Sequence, residues 1–133
     1  YNNRTSLVGR YQVVDEMYGT SQDTILGRIQ YKETVDFRGM SRNHYQFSPY
    51  LLEGLLQVVT FYLDMRDPNE KRTVIPYEIG EMRFFDACEN GQIINVEGRL
   101  RNRSDEGFSW DARAFDDKGR TLMFARNLML RWF

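Results

Sequence analysis

Residues 48–65 read SPYLLEGLLQVVTFYLDM, and this stretch decides the fold. Apolar residues occupy positions around most of a helical circumference, a pattern typical of a helix that is buried on most sides. Ser48 is a preferred N-cap residue, and Pro49 suits the first helical position, where its missing N–H removes no hydrogen bond. Asp67-Pro68-Asn69 ends the segment. We therefore predict a helix over Tyr50–Met65 that needs a sheet curled around it.

The rest of the chain supplies strands in which apolar and polar residues alternate. The first is predicted from Thr24 to Phe37, because a period of two over this length is typical of a half-buried strand. Four more strands are predicted after the helix, at 74–85, 94–101, 108–114 and 122–133. Turns at Asn90-Gly91 and at 116–119 join them.

Two of these strands carry signals about their place in the sheet. Pro76 lacks a backbone N–H, which favours either an edge position for its strand or a place among the first residues of that strand. The last strand is apolar on both faces and is predicted to be central. We expect one of its faces to carry Leu122, Phe124, Leu128, Leu130 and Trp132.

The predicted architecture is α+β, with one long central helix wrapped by a curved antiparallel sheet of five to six strands. Residues 1–133 are long enough for one domain with a real core. Residues 1–23 are predicted to be an irregular lead-in with room for one short strand. No internal repeat or linker divides the sequence.

Composition excludes several classes of function. The 18 basic and 19 acidic residues leave a net charge of −1. This balance argues against a basic surface that binds nucleic acid and against one that binds anionic membranes. No apolar run is long enough to span a bilayer. One cysteine, Cys88, permits no internal disulfide and fits a cytoplasmic location. One histidine and one cysteine are too few ligands for a typical zinc site, and we expect neither metal nor cofactor.

The helix carries one polar stripe, formed by Glu53, Gln57, Thr60 and Asp64 at spacings of four, three and four. One interpretation is a solvent-facing stripe, since carboxylates are rarely buried. The other is that Glu53 faces a cleft and acts as a general acid, while Gln57 holds its carboxyl group in position. Spacing alone leaves both interpretations open.

A resemblance bears on this choice. Residues 48–57, SPYLLEGLLQ, resemble the HPxLLDxxxQ signature of the dehydratase domains of modular polyketide synthases, in their second hotdog half. Residues 74–83, 112–120 and 128–131 resemble three further motifs of the same family, in the same order. The resemblance implies a single hotdog fold, in which a curved sheet wraps one central helix.

The resemblance also implies a reaction. These domains eliminate water from a 3-hydroxyacyl thioester that an acyl carrier protein holds on its phosphopantetheine arm. By analogy Glu53 stands at the position of the acid that protonates the departing hydroxyl, and Gln57 at that of the residue that orients the acid. The substrate is expected at Ser48, Pro49 and Gly54. In such domains backbone N–H groups polarise the thioester carbonyl, and a helix N-terminus is a good source of them.

The sequence departs from the family pattern at the base. Ser48 replaces the histidine of the HP pair, and the HxxxxGxxxxP motif that carries the catalytic histidine is absent. His44 is the only histidine, and two interpretations of it stay open. One is a surface or turn residue, and the other is the base, acting in trans from a second subunit. The expected partners are therefore an acyl carrier protein and a second hotdog, in a homodimer or as a paired half.

Two alternatives remain open on the same fold. One is a non-catalytic hotdog that binds acyl-pantetheine or serves as a dimerisation module. The other is a thioesterase, in which Glu53 activates water or acts as the nucleophile.

Overall fold

The described residues form one helix packed on a six-stranded antiparallel sheet. A computed structural model describes residues 14–31, 49–86, 88–89 and 91–133. The elements are β1 (Val14–Thr20), β2 (Thr24–Gln30), α1 (Pro49–Arg66), β3 (Val74–Phe84), β4 (Ile93–Arg103), β5 (Gly107–Phe115) and β6 (Thr121–Trp132). The strand order in the sheet is β1-β2-β4-β5-β6-β3. This confirms the predicted α+β architecture, and β1 lies within the predicted lead-in.

The helix is the centre of the core. It begins at Pro49 and ends at Arg66, one residue beyond the prediction at each end. Leu51, Leu55 and Val58 are fully buried, and each contributes about 1.5–3 kcal/mol relative to an exposed side chain. The helix packs against β1, β2, β4 and β5. In the described part of the chain, no helix is both long enough and apolar enough to cross a membrane.

Two glycines let the helix approach the sheet closely. A Cβ atom on Gly98 of β4 would lie 2.8 Å from Val59 Cγ1 and 3.0 Å from Ile25 Cγ2. A Cβ atom on Gly27 of β2 would lie 3.0 Å from Val58 Cγ2. All three distances are shorter than an ordinary carbon–carbon contact. The sheet therefore makes room for two consecutive helix valines by omitting side chains.

The predicted alternation is confirmed in β2, β4 and β5. Buried residues there alternate with more exposed ones. The buried ones are Ile25, Gly27, Ile29, Ile94, Val96, Gly98, Phe108, Trp110, Ala112 and Ala114. In the described residues β2 ends at Gln30, whereas the prediction extended the strand to Phe37. Residues 32–37 lie outside the described residues, as does the predicted loop up to His44.

The prediction for the faces of β6 was wrong. Ala125 pairs with Ala112 and Leu128 pairs with Trp110, so β6 has one residue more than β5 between these pairs. The extra residue forms a bulge at Asn127, whose φ of 54° is in the left-handed region. Its N–H donates to Asp111 Oδ1 at 3.1 Å. Because a bulge shifts the alternation by one residue, the buried residue before it is Ala125 rather than Phe124.

The two edges of the sheet are β1 and β3. Both alternatives for Pro76 hold, since β3 lies at an edge and Pro76 is its third residue. β6 lies inside the sheet as predicted. The connection from α1 to β3 is held by Trp132: the Arg72 guanidinium lies 3.9 Å from its ring centroid, and its indole N–H donates to the Ser104 carbonyl at 3.0 Å. The first contact attaches the segment before β3 to the end of β6, and the second attaches the end of β6 to the β4–β5 connection.

We expect Gly98→Ala to lower the free energy of unfolding by about 1–3 kcal/mol, because the added methyl group would overpack the contact with Val59. Val59→Ala in the same chain should recover part of that loss, so that the double variant loses less than the sum of the single variants. Arg99→Ala, at the exposed neighbouring position, is the control. Urea denaturation measures all four proteins, and additive losses would contradict the close contact.

Acid should weaken the α1–β3 connection through Glu70. Its side chain accepts a hydrogen bond from Arg72 at 2.8 Å, which lowers the pKa of Glu70 from 4.5 to about 2. A lowered pKa in the folded state means that the stabilisation is complete above pH 4.5 and is lost as the pH falls towards 2. The difference in stability between wild type and Glu70→Gln should therefore shrink over this range in denaturation series. A difference that is constant with pH would contradict the ion pair.

Candidate functional site

The polar stripe of the helix is not uniformly exposed. Glu53 is exposed, Thr60 and Asp64 are half-buried, and Gln57 is only 2% exposed. The solvent-facing interpretation therefore fails at Gln57. A buried amide needs hydrogen-bond partners, since leaving one unpaired costs about 1–3 kcal/mol.

Gln57 links the first strand to Glu53. Its Oε1 accepts a hydrogen bond from the backbone N–H of Val14 at 3.3 Å, and its Nε2 donates to Glu53 Oε1 at 3.1 Å. A backbone N–H can only donate, so the amide oxygen must face Val14 and the NH₂ group must face Glu53. The contact that the sequence predicts between Gln57 and Glu53 is present. Its partner on β1 was not predicted, because a backbone donor 43 positions away leaves no signature in the sequence.

The beginning of the helix is held by Tyr50. Its hydroxyl donates to the carbonyl of Gln30 at 3.1 Å, and its ring packs edge-on against Tyr31 at 5.5 Å between centroids. These contacts attach the first turn of α1, which precedes Glu53, to the end of β2. They give the site a fixed position relative to the sheet.

The helix surface around Glu53 is partly apolar. Leu52, next to Glu53 in the sequence, and Leu56, about one turn later, are half-buried against the core. The described residues of one chain leave Glu53 itself exposed. The enclosed cleft expected around this carboxyl group is thus not formed by the described part of a single chain.

The remaining predicted site residues divide into two groups. Pro49 is the first residue of α1, and Gly54 is buried within it. His44 and Ser48 lie outside the described residues. The structure therefore brings Glu53, Gln57 and Gly54 together on one helix, and the proposed base remains a prediction.

A cleft of about 580 Å³ lies away from the helix, between the β3–β4 connection and the β5–β6 hairpin. The carboxylate of Asp116, on its wall, accepts hydrogen bonds from the backbone N–H groups of Arg120 and Lys118. These hydrogen bonds lower the pKa of Asp116, and the bond from Arg120 has the largest effect. Asp116 thus serves the hairpin turn, as the sequence predicts for this segment. The described residues include no cluster of three His, Cys, Asp or Glu side chains suited to a metal ion.

Comparison with known families decides the assignment. Residues 7–133 match the family model described as the polyketide synthase dehydratase N-terminal domain. The chain belongs to this family. Among curated protein sequences none matches it. The motif resemblance pointed to the second hotdog half, whereas the matching model describes the N-terminal one. The family is therefore confirmed, and the assignment to the second half is not.

Solved structures confirm the hotdog fold of this dehydratase-family chain. It is similar to the dehydratase domain of RzxB from Pseudomonas fluorescens, with 20% identity over 91% of this chain and 41% of that one, and a TM-score of 0.71. A Streptococcus mutans protein bound to acetyl CoA is 8% identical, with 98% and 97% coverage and a TM-score of 0.70. A hypothetical thioesterase with coenzyme A from Streptococcus pneumoniae is 11% identical, with 89% and 84% coverage and a TM-score of 0.65.

Gln57→Leu should lower the free energy of unfolding by about 1–3 kcal/mol, because it removes two hydrogen bonds of a buried amide. It should also speed hydrogen exchange at the Val14 amide. Thr60→Val is the matched control, since the Thr60 hydroxyl donates only within the helix, to the Leu56 carbonyl at 2.6 Å. Unchanged exchange at Val14 in Gln57→Leu would show that the link to β1 does not form.

Proposed function

We propose that this chain is a dehydratase domain that eliminates water from a 3-hydroxyacyl thioester carried on an acyl carrier protein. The observation that carries the proposal is the hydrogen bond between Gln57 and Glu53, on the helix where the resemblance places the acid and its orienting residue. Membership of the polyketide synthase dehydratase family supports the same reaction.

The proposed reaction breaks two bonds and forms one double bond. His44 removes the proton from the carbon next to the thioester carbonyl, and the electron pair forms the new carbon–carbon double bond. Glu53 donates a proton to the β-hydroxyl, which leaves as water. The products are the enoyl thioester and water, and no oxidant or cofactor is consumed. Gln57 would hold the Glu53 carboxyl group through its NH₂ group.

The proposal includes a second hotdog. Glu53 is exposed in the described chain, whereas proton transfer to a substrate is favoured in a site from which water is excluded. The chain spans about two-fifths of the length of the RzxB dehydratase domain, so that domain has room for another unit of this size. A second hotdog would cover Glu53 and supply His44 in trans, and the pantetheine arm would enter between the two. The cytoplasm suits this assembly, because it keeps the Cys88 thiol reduced.

Thioester hydrolysis is the second candidate, and the exposure of Glu53 favours it. A carboxylate that water reaches is well placed to activate that water, which is the role a thioesterase requires. One similar structure is described as a hypothetical thioesterase with coenzyme A. Both reactions start from an acyl thioester and place Glu53 beside it.

The deciding experiment incubates the purified chain with 3-hydroxybutyryl-pantetheine and follows enoyl absorbance and free thiol together. We expect enoyl product, reduced by about 10²–10⁴-fold in Glu53→Gln, because that variant cannot donate the proton. A comparable loss is expected in His44→Ala. Asp64→Asn, a second carboxyl change on the same helix stripe, is the matched control and should keep full activity.

Each of the other outcomes would change the proposed function in a different way. Release of free thiol that is lost in Glu53→Gln would show that the chain is a thioesterase and not a dehydratase. Binding of acyl carrier protein without either product would overturn both reactions and leave a non-catalytic binding module. Enoyl formation that persists in Glu53→Gln would remove Glu53 from the mechanism.

A further inference from the structure

The cross-strand pairs identify the side of the sheet that faces away from the helix. Gly98, Ala112 and Ala125 form a row across β4, β5 and β6, and a Cβ atom on Gly98 would meet the helix. Successive residues of a strand point to opposite sides, so the residues next to this row face away from the helix. Arg99 and Arg126 are among them, and both are exposed. This side is the outer face of the sheet.

The outer face continues along the end of β6. Leu128 and Leu130 are buried, and Met129 and Arg131 alternate with them on the outer face. Met129 is half-buried, whereas Arg131 is exposed. Glu78 of β3 stands opposite Met129.

Positive charge is in excess on this face. Three of its carboxylates are paired, with N–O distances of 2.6 Å for Arg101–Asp111, 2.8 Å for Arg83–Glu81 and 3.4 Å for Arg113–Glu97. Arg99, Arg126 and Arg131 have no carboxylate partner within the part of the chain that the structure describes. Glu78 offsets one of these charges. The face is therefore positive, although the whole chain has a net charge of −1.

Arg99 stands opposite a carboxylate that is already engaged. Its cross-strand partner is Asp111. Oδ2 of Asp111 accepts a hydrogen bond from Arg101 at 2.6 Å, and Oδ1 accepts one from the Asn127 N–H at 3.1 Å. Both oxygens are thus occupied, and the guanidinium of Arg99 remains available to a partner.

Arg126 and Arg131 lie over aromatic rings instead of pairing with carboxylates. The guanidinium carbon lies 5.7 Å from the Phe124 ring centroid in Arg126 and 4.2 Å from that of Tyr77 in Arg131. Glu81, opposite Arg126, is already paired. A stacked guanidinium keeps its N–H edge free, and this edge can bind a carboxylate through two hydrogen bonds.

We propose that Arg99, Arg126 and Arg131, the outer arginine patch, bind an acidic segment of a partner protein through its Asp and Glu side chains. Charge complementarity carries the proposal, and Met129 adds apolar contact area between Arg126 and Arg131. Arg99 and Arg126 lie two strands, or about 10 Å, apart, so a segment that reaches both must carry more than one carboxylate.

The charge of the whole chain favours a short acidic segment over a polyanion. A net charge of −1 gives no long-range attraction for nucleic acid or an anionic membrane, whereas a segment that contacts only the patch meets the local positive excess. The helix that carries Glu53 lies on the other side of the sheet. The inference is therefore independent of the proposed function, and partner and substrate can bind at the same time.

Fluorescence anisotropy tests the proposal with a short labelled peptide in which glutamate alternates with serine. We expect saturable binding that weakens as salt is added, because the screening length falls from about 10 Å at 0.1 M to about 3 Å at 1 M. The triple variant Arg99→Gln, Arg126→Gln, Arg131→Gln should bind roughly tenfold more weakly, since each exposed ion pair contributes only a few-fold. The same peptide with glutamine in place of glutamate should not bind.

A second triple variant is the matched control. Arg66→Gln, Lys71→Gln and Lys118→Gln remove the same charge from exposed positions outside the strands, and this protein should bind almost as tightly as wild type. Nuclear magnetic resonance of the wild type gives a test without substitutions: peptide should shift the amide signals of the outer arginine patch and leave those of α1 unchanged.

Four results would overturn the proposal. They are a wild type that does not bind the glutamate peptide, equal weakening in the two triple variants, and amide shifts confined to other surfaces. The fourth is tighter binding of a short DNA duplex, or of phosphatidylcholine vesicles that contain phosphatidylserine, through the same arginines, which would assign the patch to a polyanion.

Discussion

The close contact between one apolar helix and the face of the sheet is the constraint on which this structure depends. Val58 and Val59 of the helix lie against Gly27 and Gly98 of neighbouring strands, at distances that leave no room for a methyl group. The sheet can approach this closely only where its own side chains are absent. This contact sets the height of the helix above β2 and β4, and with it the position of every polar group on the helix.

The site follows from that placement. Because the helix lies against β1, Gln57 is buried at a point where the backbone of Val14 offers a donor. The amide is thereby turned so that its NH₂ group meets Glu53. The same placement leaves Glu53 beyond the cover of its own sheet. In the proposed function, a second hotdog covers this carboxyl group.

Hydrophobic alternation explains both what was predicted correctly about β6 and what was predicted wrongly. Hydrophobic alternation identified the strand and its place inside the sheet, because burial on both faces requires apolar residues on both. The alternation failed at Asn127, where the strand has one residue more than β5 between neighbouring pairs. Gly80 on β3 accommodates this bulge, since a Cβ atom there would lie 2.9 Å from Asn127 Cβ. A bulge depends on how neighbouring strands pair, which one strand's sequence does not encode.

Several features could be predicted from the sequence alone: the helix to within one residue at each end, the α+β order and the position of Glu53 and Gln57 on one helical face. These features depend on local periodicity and on the chemistry of single residues. The burial of Gln57 against β1, the exposure of Glu53 and the bulge at Asn127 depend instead on the tertiary structure. The reason is that burial and strand pairing are set by contacts between residues distant in sequence, and local patterns carry no record of those contacts.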